Sequence, residues 1–409
     1  MNDLAQDLLS FRVFGERTRV METVAMNFDG GRLRVPTYVN EFWTAKQRAA
    51  HSLHEISYRA CFKPQLPRFF VERLTQPGEI VYDPFMGRGT AVLESGLLGR
   101  VPFGCDVNPL SLFLCGPRLD PPTLPQVARR LAEIDFADAE EHPEDLLAFY
   151  HPATLKEICA LKKYLLRRQA GEELDSVDRW IWMVALNRLT GHSRGFFSVY
   201  TLPPNQAVSV QRQRQLNERQ GLMPPRRHVA ALIAGKTSQL LARCNDETRR
   251  LLAGAREGAK LLTGPASDCP EIPTGGVTLV VTSPPFLDVV DYAGDNWLRC
   301  WFIGVDPRTV ELTILRSVQA WQRAMSAVFR ELHRVLRPGG LVAFEVGEVR
   351  GGKLKLEEAV LPCGVAAGLR PELVLIHDQR FTKTSHCWGQ ENNAKGTNTN
   401  RIVLFRKEG

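Results

Sequence analysis

Three short strings in this chain hold the residue types that group-transfer chemistry needs. The first is DPFMGRGT, Asp83 to Thr90. Asp83 ends an apolar run, and Gly87 and Gly89 follow closely. Glycines there let a ligand approach backbone N–H groups where a helix begins. The second is CDVNP, Cys105 to Pro109, which sets another acid, Asp106, at the end of a second apolar run. A carboxylate in that place can accept hydrogen bonds from both hydroxyls of a ribose. No G-x-G-x-x-G follows either run, so a nucleoside cofactor without a pyrophosphate fits better than a dinucleotide. The third is TSPPF, Thr282 to Phe286, after the apolar run VTLVV. Pro284 and Pro285 bar a helix and fix the backbone. They present the Ser283 hydroxyl and the Pro284 carbonyl as two acceptors for an amino group, with the Phe286 ring placed to stack on a base. Each string also has a plainer reading: a glycine turn, a helix cap and a proline loop cap.

The elements that must position these strings alternate along the chain. EIVY, residues 79–82, reads as a strand behind the turn Pro77-Gly78; a helix covers roughly 91–98 and a second strand 102–105. Strand, turn, helix and strand, with an acid closing each strand, predict a doubly wound parallel sheet. From 121 to 258 the chain reads mostly helical and polar. Leu155, Ile158, Leu161 and Leu165 recur at a helical spacing. DRWIWMVALNRL continues as a more buried helix, 191–225 reads as irregular and basic, and one helix covers roughly 229–253. Strands return at 259–262 and 277–281, followed by a helix over 321–336, a turn at Pro338-Gly339-Gly340, and strands over 341–346, 373–377 and 401–405. The expected architecture is α/β: a seven-stranded Rossmann-like sheet in two parts, 1–120 and 259–409, with a mostly helical insert, 121–258.

The bulk numbers narrow the partners. The chain has 409 residues, 44% of them hydrophobic, and a formal net charge of +7. That composition suits an ordinary globular protein, and the basic balance favours an anionic partner, nucleic acid being the commonest. Nine cysteines occur without a C-x-x-C pair, which argues against a metal site and for reduced thiols. The N-terminus carries acids where a signal peptide is basic, and no run of about 18 apolar residues occurs, so a cytoplasmic protein without a membrane span is expected. Pro362-Cys363 is the only Pro-Cys pair. It lies after TSPPF, where a thiol attacking carbon-5 of cytosine does not fit, and reads as a packed thiol.

Together the three strings resemble the amino-methyltransferases of DNA, whose core is a seven-stranded Rossmann-like sheet. The resemblance covers roughly 38–110 and 259–409 and implies S-adenosylmethionine as methyl donor. It assigns Asp83, Pro84, Phe85, Met86, Gly87, Gly89 and Thr90 to the methionine part of that cofactor, and Asp106 with Val107 to the ribose side. FKPQLPRFFVERL looks like the segment that adds Lys63, Pro64 and Leu66 to the pocket. TSPPF is similar to the catalytic loop, which makes Ser283, Pro284, Pro285 and Phe286 catalytic and sets Ser283 against the cofactor as well. Serine at the head of that loop is typical of enzymes acting on cytosine N4, and aspartate is commoner in those acting on adenine N6. Transfer to cytosine N4 in double-stranded DNA is therefore the reading; adenine N6, or a base amino group of RNA, is the alternative. Two positions depart from the family pattern. Arg88 stands where serine is usual, and the acid after the third strand is displaced, with Pro265 near its place and Asp268 farther on.

Members of that family use such inserts for target recognition. Arg188, His192, Arg194, Arg212, Arg214, Arg226 and Arg227 make the middle of this one basic, and Asn205 and Gln206 add base-edge chemistry. DNA contact is expected of the stretch, through Arg194, Asn205, Arg212 and Arg214; a solvated helical lid is the plainer reading. Asp291 and Tyr292 are expected in the base pocket. Trp297 and Trp301, four apart, share a helix face and read as core. A cognate restriction endonuclease is a partner such an enzyme can have; the sequence leaves that open, with the recognition site.

Overall fold

Six consecutive buried residues, Val277–Thr282, make a strand with no solvent face, as a parallel sheet covered by helices on both sides requires. The computed structural model of the chain describes residues 2–44, 50–58, 61–139, 142–201, 207–285, 292–310, 315, 317–349, 354–378 and 399–409. Its strands are β1 Arg19–Met26, β2 Arg32–Asn40, β3 Ile80–Asp83, β4 Val101–Asp106, β5 Lys260–Thr263, β6 Val277–Thr282, β7 Leu336–Val346, β8 Glu348–Val349, β9 Leu354–Lys355, β10 Leu369–Asp378 and β11 Thr399–Lys407. β8 and β9 form a separate ribbon, and the other nine lie in the order β1-β2-β10-β11-β7-β6-β3-β4-β5. The stretch from β10 to β5 is the seven-stranded sheet expected from the sequence. In it β3 to β7 run parallel, and β11 runs antiparallel to both β7 and β10.

The sheet is wider than expected by the hairpin β1–β2. It attaches through β2, which pairs in parallel with β10 from Thr37 opposite Val374 to Asn40 opposite His377. Half of β1 is exposed on both faces, so its sequence shows no alternation.

The helices are α1 Asn2–Ser10, α2 Gln65–Leu74, α3 Thr90–Leu97, α4 Leu110–Leu119, α5 Leu124–Glu133, α6 Pro152–Ala170, α7 Ser176–Leu186, α8 Val210–Gln220, α9 Val229–Leu241, α10 Asp246–Gly258, α11 Tyr292–Ile303, α12 Val318–Val335 and α13 Leu356–Ala366. α1 and α2 cover one face of the sheet, against Leu279, Val281, Ala343 and Leu375. α12 and α13 cover the other, against Val280, Phe344 and Val403. A third core joins Leu93 of α3 and Leu114 of α4 to Leu161, Trp180 and Ile233 of the insert and to Leu298 and Phe302 of α11. Trp297 and Trp301 pack against that core, as their spacing suggested.

Two helical expectations are corrected. The stretch read as irregular contains α8, capped by Ser209, whose hydroxyl accepts from the Arg212 N–H at 3.3 Å, and closed by Gly221 at φ +60°. Only Gln213 of this helix is buried, so no apolar stripe marks it. The single helix expected over 229–253 is two, because Asn245 caps α10 by accepting from the Thr248 N–H at 2.8 Å. No helix among the described residues is long and apolar enough to cross a membrane.

Because the third core is continuous, Leu161→Ala is expected to destabilise the whole chain. The loss should be roughly 2–5 kcal/mol, read as a shift of one cooperative urea transition. A separate early transition confined to the insert would show that the insert melts alone.

Candidate active site

The site forms where β6, β3 and β4, adjacent in the sheet, end at the same edge. Asp83 closes β3 and is buried. Its Oδ1 accepts from the Thr282 hydroxyl at 2.6 Å and from the Phe85 N–H at 3.1 Å. Burial pushes its carboxyl up to about 7, against the pull of the Thr282 and Phe85 donors. Asp106, half-buried at the end of β4, reaches across to the same loop. Its Oδ2 accepts from the Gly87 N–H at 2.8 Å and its Oδ1 from the Asn108 N–H at 2.9 Å. Burial raises this carboxyl as well, and those N–H groups oppose the shift. Each carboxylate oxygen can accept more than one hydrogen bond, so Asp106 keeps capacity for a hydroxyl.

The loop between the two acids is tightly determined. Gly89 has φ +73°, and a Cβ there would come within 2.3 Å of Cys115 Sγ. The N–H of Met86 donates to the Cys105 carbonyl at 3.0 Å and that of Gly89 to the Met86 carbonyl at 2.5 Å. Pro84, Met86 and Thr90 are buried; Phe85 and Gly87 are half-buried, as is Val107 after β4. Arg88, the departure noted in the sequence, is buried. Its guanidinium donates to the Ile56 carbonyl at 2.8 Å and to the Thr90 hydroxyl at 3.1 Å. Arg118 donates in turn to the Arg88 carbonyl and, at 2.8 Å, to the Leu114 carbonyl. These two arginines staple the segment 52–58 over the glycine loop. Asn187 of the insert and Arg299 of α11 hold the same segment, the first accepting from the Ser57 N–H at 2.7 Å, the second donating to the Ser57 carbonyl at 3.1 Å.

Beyond Thr282 the backbone leaves β6 as Ser283-Pro284-Pro285. Pro284 is buried, Ser283 and Pro285 half-buried. The Trp321 indole N–H fixes this turn by donating to the Pro285 carbonyl at 3.0 Å. Ser283 is hydrogen-bonded to Glu345 of β7, which also accepts from Asn400 Nδ2 at 2.9 Å. Glu345 is 5% exposed, and burial raises its carboxyl despite those two partners. Sequence reading missed Glu345. The signal was a carboxylate inside the otherwise apolar run LVAFEV.

The remaining candidates divide. Pro64 and Leu66 are buried and Lys63 half-buried beside α2, with burial lowering the Lys63 ammonium. Phe286, Asp291, Asn205 and Gln206 lie outside the described residues; Tyr292 opens α11. Arg194, Arg212 and Arg214 are exposed, and Arg214 pairs with Asp145 at 2.6 Å. Arg188, by contrast, is buried, with its guanidinium 4.1 Å from the Phe196 ring centroid. It supports the insert and is not part of a free basic surface. The segment before α8 docks on α11, through the Ala207 N–H to the Asp295 carbonyl at 3.2 Å and the Trp297 indole N–H to the Val208 carbonyl at 3.2 Å. That fixes the start of α8 against α11. Cys363 is fully buried, with burial pushing its thiol up to about 11; it is a packed thiol, as its position suggested.

Residues 26–111 match the N6/N4 family model described as DNA methylase, so the resemblance to DNA amino-methyltransferases is carried by the part of the chain that holds the glycine loop. The Type II methyltransferase M.MvaI of Kocuria varians is 31% identical over 123 residues, which is 29% of this chain and 25% of that protein. The Type II methyltransferase M.MjaII of Methanocaldococcus jannaschii is 31% identical over 74 residues, 18% of this chain and 14% of that protein. The matches thus span a quarter or less of those relatives. Among solved structures, a TehB-like SAM-dependent methyltransferase from Corynebacterium glutamicum superposes at a TM-score of 0.32 with 8% identity, over 84% of this chain and 87% of that one. TrmN from Thermus thermophilus gives 0.34 with 12% identity, over 87% and 51%. Superpositions this loose carry no weight; the fold class stands on the strand order.

The burial of Asp83 has a measurable consequence. Its folded-state value of about 7 lies above the roughly 3.9 of an unfolded aspartate. Between these values the folded chain keeps a proton that the unfolded chain has released. This contribution to stability is complete below about pH 4 and is lost as pH rises through 7. Asp83→Asn keeps an acceptor for Thr282 and Phe85 without the charge. Its melting temperature is expected to exceed the wild type's at pH 8, by the equivalent of up to about 4 kcal/mol, with the gap narrowing at pH 5. A gap that does not change with pH would show that Asp83 is not buried in this way.

Proposed function

We propose that this chain transfers a methyl group from S-adenosylmethionine to the exocyclic N4 amino group of cytosine in double-stranded DNA. The observation that carries the reading is the hydrogen bond from Thr282 to Asp83. It locks the glycine loop to the head of the Ser-Pro-Pro turn, so a ligand on the first lies beside an acceptor on the second.

The residues present fit the cofactor. Asp83, once ionised, is a buried carboxylate without a cation among the described residues, and the ammonium of a methionine part suits it. Asp106 can add a ribose hydroxyl to its two N–H partners. Lys63, Pro64 and Leu66 are proposed to close the methionine end. When bound, S-adenosylmethionine supplies an electrophilic methyl on its sulfonium.

The amino group of cytosine is a weak nucleophile because its lone pair is delocalised into the ring. Ser283 Oγ and the Pro284 carbonyl accept its two protons and favour a pyramidal nitrogen with the lone pair directed at the methyl. Positioning of this kind is worth roughly 7–11 kcal/mol at best. The nitrogen loses one proton as the N–C bond forms. Ser283 can take it while passing its own to Glu345, whose raised carboxyl makes it a ready acceptor. The family resemblance assigns Pro285 and Phe286 to shaping and stacking the base, and Asp291 and Tyr292 are proposed for its pocket. A base within a duplex is unreachable, so it must be flipped out, at a cost of a few kcal/mol. Arg194, Arg212, Arg214 and Asn205 are proposed to hold the DNA. The description of the matching family model as DNA methylase supports DNA as substrate, and a restriction endonuclease is a companion that this reading allows.

Transfer of labelled methyl groups to duplex DNA, with RNA as control and nucleoside analysis of the product, tests the reaction. N4-methylcytosine is the expected product. N6-methyladenine alone would move the acceptor to adenine, and label in RNA alone would remove DNA as substrate. Ser283→Ala should lower turnover by roughly 100-fold with little change in DNA affinity. Loss of affinity without loss of turnover would contradict its role as acceptor. Neutralising Arg212 and Arg214 together should flatten the salt dependence of DNA binding, since fewer counterions are released; an unchanged slope would leave them a solvated surface.

A further inference from the structure

Behind the acids lies a sulfur pair that the proposed reaction does not use. Cys105 is the residue before Asp106 on β4, and Cys269 closes the turn after β5. Both are buried, and their sulfurs are 3.3 Å apart. The Tyr82 hydroxyl, from the residue before Asp83, donates to Cys269 Sγ at 3.3 Å. Cys269 is also anchored by its main chain, its N–H donating to Glu331 at 3.1 Å and its carbonyl accepting from Arg334 at 3.0 Å. The turn it closes begins at Gly264, whose N–H donates to the Asp106 carbonyl at 3.0 Å. The pair therefore links the strand end that carries Asp106 to the segment 264–269 beside it.

We propose that Cys105 and Cys269 are a reversible oxidation site, and that a disulfide between them weakens cofactor binding by pinning these two walls of the pocket together. The second half of this statement rests on the cofactor reading above; the first does not. Bond formation needs the sulfurs to close from 3.3 Å to about 2.05 Å, a movement that must be taken up by β4 or by the turn 264–269. Cys269 is the attacking sulfur, because the Tyr82 O–H donates to it and stabilises its thiolate, whereas the Cys105 S–H is held by the Gly264 carbonyl at 3.3 Å. The oxidant is a small peroxide. The Cys269 thiolate attacks one peroxide oxygen and breaks the O–O bond, giving a sulfenic acid and, after proton uptake, water. Cys105 then attacks the sulfenic sulfur, the S–O bond breaks and a second water leaves. Two thiols and one hydrogen peroxide yield one disulfide and two waters, and a dithiol reductant reverses the change.

The test is to treat the full chain with hydrogen peroxide, block free thiols and map peptides by mass spectrometry without reduction. A Cys105–Cys269 cross-linked peptide is expected. It should disappear with dithiothreitol, and saturating S-adenosylmethionine should slow its formation. Calorimetry should show at least a tenfold loss of S-adenosylmethionine affinity on oxidation, absent in Cys105→Ser and in Cys269→Ser. Mapping of the wild type needs neither variant to fold. Two free thiols under peroxide that oxidises the exposed Cys61 would overturn the proposal, and so would a cross-link with unchanged affinity. A reduced protein that forms the cross-link but never binds S-adenosylmethionine would establish the thiol pair and overturn the cofactor reading instead.

Discussion

Thr282 and Asp83 meet at 2.6 Å where two neighbouring strands end, and the geometry of the site follows from that contact. A lone ionised carboxylate with no solvent would be costly there. The hydroxyl and the Phe85 N–H reduce the cost without removing it, which is why the carboxyl is held near neutrality. The same hydrogen bond fixes the rotation of the backbone as it leaves β6. Ser283, next in sequence, is then held by its hydrogen bond to Glu345. One buried interaction thus orients both the glycine loop and the hydroxyl that would meet a substrate.

The sheet extends this arrangement sideways. Ser283 just past the end of β6, Glu345 on β7 and Asn400 on β11, three adjacent strands, form one hydrogen-bonded row. That row exists only because β11 is inserted antiparallel between β7 and β10. A purely parallel continuation would have brought a strand's C-terminal end here, where β11 contributes its first residues. The insert is tied to the same edge from the other side, through Asn187 on Ser57 and Ala207 on Asp295. Movement of the insert is therefore coupled to the segment that covers the glycine loop.

What was legible in the sequence was local. DPFMGRGT, CDVNP and the Thr-Ser-Pro-Pro of TSPPF announce themselves because glycines, prolines and strand-end acids have few other uses, and each lies at a strand end, as read. Buried strands such as VTLVV were also legible, since a run of β-branched residues has few alternatives. The hairpin β1–β2 was not, because its place is set by pairing between Val39 and Ile376, residues remote in sequence and ordinary in type. α8 was hidden by the opposite fault: QRQRQLNERQ has no apolar stripe, and its helix rests on a serine cap and a closing glycine. Arg188 looked like free positive charge, and Arg88 like an odd residue in the glycine loop. Their burial depends on carbonyls and a ring supplied by segments that no local pattern points to.

The burial of Arg88 and of its neighbour Arg118 bears on what the loop can hold. A loop that cradles a pyrophosphate must leave several N–H groups free and keep cations facing the ligand. Here the N–H groups of Phe85, Met86, Gly87 and Gly89 donate to Asp83, Cys105, Asp106 and Met86 in turn. The guanidinium groups of Arg88 and Arg118 spend donors on backbone carbonyls. With those four N–H groups consumed internally and two carboxylates at its base, the loop offers acceptors where a phosphate site would offer donors. Such a surface repels a dinucleotide's phosphates and favours a ligand that brings a cation and hydroxyls of its own. The absence of a pyrophosphate fingerprint in the sequence and the hydrogen bonds of the folded loop are thus two expressions of one constraint.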